Sequence, residues 1–389
     1  MRNVILYDVA RVHDNLLPIT YTRPVAGIRL GIETIREKWE RAFPGEYSYK
    51  VSAEYLAPKF PLKEADTLLD DYYIASHVCP SDELVKAIEA LPCGCRLTVD
   101  GEEIARHGKE AEDTVEYDPI HITALRSLTD IFTLNGEALE YDFEKVTAGR
   151  TSQPISRTVT IIGDPSRVFI EEGAWVEAAV LNVQNGPIYI GRNAEIMEGT
   201  LVRGPLALCH DSHINMGTRV YGATTIGPWC KVGGELSNVV MLGYSNKAHD
   251  GFLGNAVIGE WCNLGADCVA SNLKNDYTEI KLWNYPAHRF LRTGLQFCGL
   301  IMADHSKAGI NTMFNTATVV GVGCNIHGSG FPRNFVASFS EGGAAGFSDV
   351  AMSKFFDIAR RAMARRHVEL TQTDIDIFEA IRDIAETYK

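Results

Sequence analysis

Every sixth residue from position 190 is aliphatic. Ile190, Ile196, Val202, Leu208, Ile214, Val220, Ile226 and Val232 form an unbroken row. The residues four places after each, Ala194, Thr200, Leu206, Ser212, Thr218, Thr224, Cys230 and Leu236, are mostly small. An α-helix repeats its apolar positions about every 3.6 residues and a half-buried strand every second one. A period of six fits neither. It calls for a short strand, a corner and another short strand, with three sides closing one coil of a triangular prism. The branched residue points into the prism, the small one sits at the cramped corner, and glycine eases the turn. Successive coils then pair through parallel backbone hydrogen bonds, so the solenoid is built from neighbour contacts. After a shift of phase the pattern resumes at Phe252, Ile258 and Leu264, with Ala256, Cys262 and Cys268 in the small place. Ile170 and Val176 extend it backwards, and Ile310 and Val322 forwards. The repeat predicts a left-handed parallel β-helix from about residue 165 to 330.

At 389 residues the chain exceeds one ordinary core. Residues 1–150 alternate strand-like and helix-like stretches, which predicts an α/β domain. Val4 to Asp8 reads as a buried strand. Residues 28–43 read as a helix carrying Ile28, Leu30, Ile32, Ile35 and Trp39 on one face. Residues 147–158 have turn and linker composition. The expected organisation is therefore an α/β domain over 1–150, the β-helix over 158–335 and C-terminal helices over 350–389. Thr371 with Asp374 resembles a capping box for the last helix. Residues 276–299 break the repeat with Trp283, Pro286, Arg289 and Arg292, and read as a loop thrown out of the prism, of the kind that covers a site.

The net charge of −13 argues against a nucleic-acid partner, which needs a basic face. No apolar stretch approaches the roughly 20 residues of a membrane span. The first residues lack the cleavage site of a signal peptide. Nine cysteines, an odd number, read as free thiols in the cytoplasm, and the Cys93/Cys95 pair reads as a turn.

Leu16 to Pro24, LLPITYTRP, and Lys247 to Asn255, KAHDGFLGN, together with the six-residue repeat, resemble the bifunctional glucosamine-1-phosphate N-acetyltransferase and N-acetylglucosamine-1-phosphate uridylyltransferase family. Sugar-phosphate nucleotidyltransferases open with a strand, a G-x-G-T-R-L-x-P loop and a Pro-Lys pair. Here Leu16 to Pro24, LLPITYTRP, is similar to the second half of that signature. Its Gly-rich half is replaced by Arg11, Val12, His13, Asp14 and Asn15, and its Lys by Val25. A nucleotide grip of that ancestry has been rebuilt or lost. Arg23 and Arg29 are candidates to bind phosphate in its place, since guanidinium grips phosphate bidentately. Asp70 and Asp71 are candidates to hold Mg²⁺. For all four the plain alternative is surface charge or structural ion pairs.

The second segment resembles the family more closely. Its acetyltransferase site contains K-A-G-H-L-T-Y-L-G-D, and this chain runs Lys247, Ala248, His249, Asp250, Gly251, Phe252, Leu253, Gly254, Asn255. The resemblance implies His249 as catalytic base, with Arg219, Glu235, Asn263 and Asn272 in substrate positions. Ser237 and Phe252 replace a substrate Lys and a substrate Tyr of the family, and Leu273 replaces a second Tyr. The identity of the acceptor is therefore not carried over. The implied reaction moves an acetyl group from acetyl-coenzyme A to an amino-sugar phosphate. An imidazole is suited to take the acceptor's proton near neutral pH, because in water it titrates at about 6.5. Arg219 and Lys247 would hold the phosphate, Glu235 would orient the acceptor, and Asn263 and Asn272 would bind hydroxyls or the developing oxyanion. The family works as a homotrimer with its site between subunits, which the resemblance implies here too. His305 is a second candidate for base or coenzyme contact, and His210 and His213 read as corner residues.

Three functions follow as alternatives. The first is the acyltransferase with an attached nucleotidyltransferase-like domain. The second is a nucleotidyltransferase alone, acting on UTP or dTTP, with the β-helix as assembly module. The third is a non-catalytic regulator that binds a sugar nucleotide.

Overall fold

None of the eight aliphatic residues of the hexad row is more than 3% exposed, and their small companions are equally buried. This holds in the computed structural model of the chain, which describes residues 2–64, 71–119 and 121–389. The chain divides into two compact units. The first comprises residues 1–28 and 33–128, the second residues 29–32 and 129–389.

The second unit is a left-handed parallel β-helix with three faces. Strands Val168–Ile170, Ile188–Ile190, Leu206–Leu208 and Thr224–Ile226 stack in parallel on the first face. The second face stacks Trp175–Val176, Glu195–Ile196, His213–Ile214, Lys231–Val232, Asn246–Lys247 and Asn263–Leu264, then Lys307–Ala308 and Asn325–Ile326. The third carries Thr160–Ile162, Val180–Asn182, Leu201–Arg203 and Arg219–Tyr221. Two longer strands, Glu235–Gly243 and Phe252–Glu260, run from the third face onto the first and pair with each other throughout.

The phase shift has a structural cause. The coil from Val232 to its partner Lys247 is shorter than the coil from Ile214 to Val232. One inward position of the shortened coil is filled by Lys247, only 1% exposed, where every residue before it in the column is aliphatic. Beyond the break the inward residues are Ala308, Phe314, Val320 and Ile326. Val322 is buried, but the inward place on that coil belongs to Val320, and Ile310 is 71% exposed and lies in a turn. The expected loop is a hairpin. Lys281–Asn284 pairs antiparallel with Arg289–Arg292. It is tied down rather than thrown free: Trp283 stacks on Phe335 at 4.1 Å, and Tyr285 meets Tyr388 edge-on.

Helices Met352–Ala364 and Gln372–Ala385 close the chain, and the second begins at a Thr371–Asp374 capping box. Phe355 and Phe378 bring their rings edge-on to His305. That packing leaves His305 only 5% exposed, which corrects its candidacy as a base.

In the first unit a six-stranded sheet has the order Glu46–Lys50, Asn3–Tyr7, Asp71–Ala75, Glu102–His107, Cys95–Val99, Asp113–Glu116. Asn3–Tyr7 is parallel to both neighbours and buries Val4, Ile5 and Leu6. The helix expected over 28–43 covers only Ile35–Ala42. Gly31 takes a left-handed φ of 75°, and Thr34 with Glu37 forms a capping box, so the helix starts only after them. None of the nine cysteines forms a disulfide. Among the described residues no helix is long and apolar enough to cross a membrane.

Candidate active site

His249 sits at the corner where the chain leaves the second face at Asn246–Lys247 and enters the third at Phe252. Its side chain is exposed. The backbone beneath it is tied from three sides. Asn215 donates its side-chain amide to the carbonyl of Ala248 at 2.8 Å. Lys247 donates to the carbonyls of Gly233, His249 and Asp250. The N–H of Asp267, one coil on, also donates to Asp250 O. Coils approach closely here. A Cβ on Gly251, whose φ is 115°, would lie 2.1 Å from the carbonyl oxygen of Cys268. The corner is thus a rigid platform that presents one imidazole to solvent, the support a catalytic side chain needs.

Arg219 and Glu235 occupy neighbouring strands of the third face in direct register, and Phe252 follows Glu235 in the same column. The Arg219 guanidinium lies 3.3 Å from the Glu235 carboxylate, with both side chains partly exposed. This column begins the face that His249's corner leads into. His249, Arg219 and Glu235 are therefore gathered along one edge of the prism.

The other predicted residues lie elsewhere. Asn263 pairs with Asn246 on the second face. Asn272 donates its side-chain amide to Asn255 Oδ1 at 2.8 Å, within a ladder of asparagines at the opposite end of the third face. Lys247 points into the prism, where burial pushes its ammonium below the ordinary lysine value. Its protons go to three backbone carbonyls, which corrects the expectation that it grips phosphate. Asn215, by contrast, is a supporting residue that the hexad pattern gave no reason to single out.

In the first unit the parts expected to grip phosphate are turned inward. Residues Ala10–Asn15 form a short helix. Its N–H groups bond within that turn rather than cradling phosphate as a Gly-rich loop does: those of Val12 and His13 both reach Val9 O. Val25, in the place of the family's Lys, is buried, and its N–H donates to Asp8 at 3.1 Å. Asp8 also accepts from Ser76 Oγ at 2.6 Å, and burial raises its carboxyl. Arg23 is buried and donates to Ile19 O. Arg29, in the second unit, is likewise buried and donates to the carbonyls of Ile32 and Leu242. These placements correct both arginines as free phosphate ligands. Asp70 lies outside the described residues. Asp71 is 1% exposed and accepts from the Asn3 side chain. Among the described residues no cluster of three or more His, Cys, Asp or Glu could hold a metal ion. His210 and His213 lie beside Asp211 and Glu195, at 2.9 and 3.6 Å.

The chain is thus an α/β sheet unit followed by a left-handed parallel β-helix that carries a polar edge. Residues 4–151 match the family model described as sugar nucleotidyl transferase. The chain is similar to the bifunctional protein GlmU of Methanocaldococcus jannaschii, 30% identical over 95 residues, which is 24% of this chain and 22% of that protein. It is similar to GlmU of Synechococcus elongatus at 21% identity over 227 residues, 52% of this chain and 46% of the relative. These matches span less than half the length of those relatives. Among solved structures it is similar to UDP-N-acetylglucosamine O-acyltransferase (LpxA) from Moraxella catarrhalis RH4, with a TM-score of 0.22 and 14% identity, covering 60% of this chain and 82% of that one. It is also similar to the polysialic acid O-acetyltransferase OatWY, with a TM-score of 0.19 and 13% identity, covering 50% and 85%.

Proposed function

We propose that the chain transfers an acyl group from a coenzyme A thioester to an amine or hydroxyl of a sugar phosphate, in the biosynthesis of nucleotide sugars. The observation that carries this reading is His249, held on a tied corner beside the Arg219–Glu235 pair. The acceptor nitrogen or oxygen attacks the thioester carbonyl, and His249 removes its proton. The carbon–sulfur bond then breaks, and the proton passes to the departing thiolate. Arg219 attracts the acceptor's phosphate and Glu235 orients its hydroxyls. Asn272 and Asn263 fit this reading only if a neighbouring copy of the chain brings its own edge against this one, as in the homotrimer implied by the family. Leu201, Tyr221 and Val269 leave exposed apolar surface on the third face that suits such an assembly. Nine cysteines without a disulfide suit a cytoplasmic setting.

The test is thiol release from acetyl-coenzyme A with a panel of amino-sugar phosphates. Replacement of His249 by Ala lowers the rate by about 10²–10⁴-fold, the usual worth of a general base. No thiol release with any acceptor would remove the proposal.

A second activity, nucleotidyl transfer from UTP or dTTP, rests on the family match of residues 4–151. The helical residues 10–15 and the buried Val25 count against it and favour a unit that binds a sugar nucleotide without turning it over. Pyrophosphate release with sugar 1-phosphates separates the two.

A further inference from the structure

A cavity of about 510 Å³ lies between the second face of the prism and the C-terminal end of helix Met352–Ala364. Lys231, Arg365 and Arg366 line it, and no carboxylate does. In a chain of net charge −13, none of these three cations has an ion-pair partner among the described residues. On the two preceding coils, Asp211 lies beside His210 and Glu195 beside His213. Two polar atoms at the cavity are buried without a hydrogen-bond partner: Asn246 Oδ1, an acceptor, and Arg366 Nε, a donor. An unpartnered buried polar atom costs about 1–3 kcal/mol, and both of these belong to residues that line the cavity.

The wall of the cavity is unusual. Along one prism edge, Trp229, Tyr244, Trp261 and His305 all take left-handed φ values, 62°, 55°, 61° and 60°. The coils before them place Asn193 and Asp211 in this conformation, residues that tolerate it far better than large aromatics. The rings form a ladder, with Tyr244 stacked on Trp261 at 4.2 Å and Trp261 on His305 at 6.1 Å. Arg366 lies over the Trp229 ring at 5.8 Å. Strained backbone that persists in series beside a cationic cavity is the kind of outlier that marks a ligand site.

We infer that this cavity binds a nucleoside diphosphate group. Its phosphates lie on Lys231, Arg365 and Arg366. Its base and ribose lie along the Tyr244–Trp261 wall, with Asn246 supplying a hydrogen-bond acceptor. The volume falls in the range of small-molecule sites, about 300–1,000 Å³, and exceeds what an inorganic anion needs. Guanidinium groups grip phosphate, and a focused positive cavity draws an anion to a negative protein. Two sources share this chemistry: the adenosine diphosphate end of coenzyme A, and a uridine- or thymidine-type nucleotide. Ala248, the neighbour of His249, lines the same cavity, so the first source would extend a thioester toward the catalytic edge. The inference does not depend on acyl transfer.

The test is calorimetric titration of the full chain with coenzyme A, ADP, UDP and pyrophosphate. At least one nucleotide binds tenfold or more tightly than pyrophosphate. Lys231→Gln and Arg366→Gln each weaken that nucleotide about tenfold, and Asn246→Ala weakens it without changing pyrophosphate. Preference for coenzyme A and ADP assigns the first source, and preference for UDP the second. Pyrophosphate binding as tightly as every nucleotide, or nucleotide binding indifferent to the two cation substitutions, overturns the inference. Failure of wild-type protein to release thiol would remove the acyl-transfer reading and leave these titrations unaffected.

Discussion

Lys247 donates its ammonium protons to the backbone carbonyl of His249, two residues further along the same corner. A buried cation therefore positions the exposed imidazole, although the two side chains point in opposite directions. Replacing Lys247 by Met keeps the apolar stem and removes the donor that the carbonyls of Gly233, His249 and Asp250 share. Loss of charged hydrogen bonds of this kind costs about 2–3 kcal/mol. The melting temperature should fall, and thiol release should drop about tenfold at saturating acceptor as the corner loosens. A phosphate-gripping lysine would behave differently: KM for the acceptor would rise with the melting temperature unchanged.

Arg219 and Glu235 give the reverse pattern. Their side chains are 45% and 35% exposed, so the ion pair contributes at most about 1 kcal/mol to stability. Arg219→Ala should barely move the melting temperature, yet raise KM about tenfold for acceptors that carry phosphate. The same acceptors without phosphate should be unaffected, and the effect should shrink at high salt. Equal losses on both kinds of acceptor would show that Arg219 does not read phosphate.

The contrast between these residues shows what could be read from the chain. The prism was legible because its inward column must be aliphatic over many coils, and the residues from Ile190 to Val232 satisfy that without exception. His249 stood out only because the run around it resembles a family motif; its exposure on a corner of the prism had no signature of its own. The inward place of Lys247 was not legible, because in that motif its ammonium reads as a grip for phosphate. Only the register with Val232 reveals that it fills an inward place. Ile310 failed in the opposite sense: an aliphatic residue near the expected phase turned out exposed, since the hairpin at 281–292 resets the count and Ala308 and Phe314 take the inward places. The cavity beside Trp261 had no linear signature. Lys231, Asn246 and Arg366 meet only through coil stacking and the return of the C-terminal helix.

Thr371 tests a local reading that did carry through. Its hydroxyl accepts from the Asp374 N–H at 3.2 Å, and the Asp374 carboxylate accepts from the Thr371 N–H at 3.0 Å. Thr371→Ala removes half of this box and should cost about 1 kcal/mol. Hydrogen exchange should quicken first in Gln372–Ala385. Exchange that quickens evenly over the whole chain would mean that the helix has no separate stability to lose.

His77 makes the first unit sensitive to acid. It is fully buried, neither ring nitrogen has a hydrogen-bond partner, and Glu102 lies 3.9 Å away. Burial pushes its imidazole down to about 4; Glu102 opposes the shift, while Arg126 and Arg11 add to it. The unfolded chain binds this proton below about pH 6.5, whereas the folded chain refuses it until about pH 4. Between those values the unfolded state holds more protons, so stability rises with pH and is lost as pH falls through the window. The full loss is about 3 kcal/mol. Asp8 pulls the other way, since burial raises its carboxyl and lets the folded state keep a proton longer. His77→Leu should therefore flatten the fall in urea midpoint between pH 6.5 and 4, and Asp8→Asn should steepen it. Parallel midpoint curves for wild type and His77→Leu would show that the imidazole is not held neutral inside the fold.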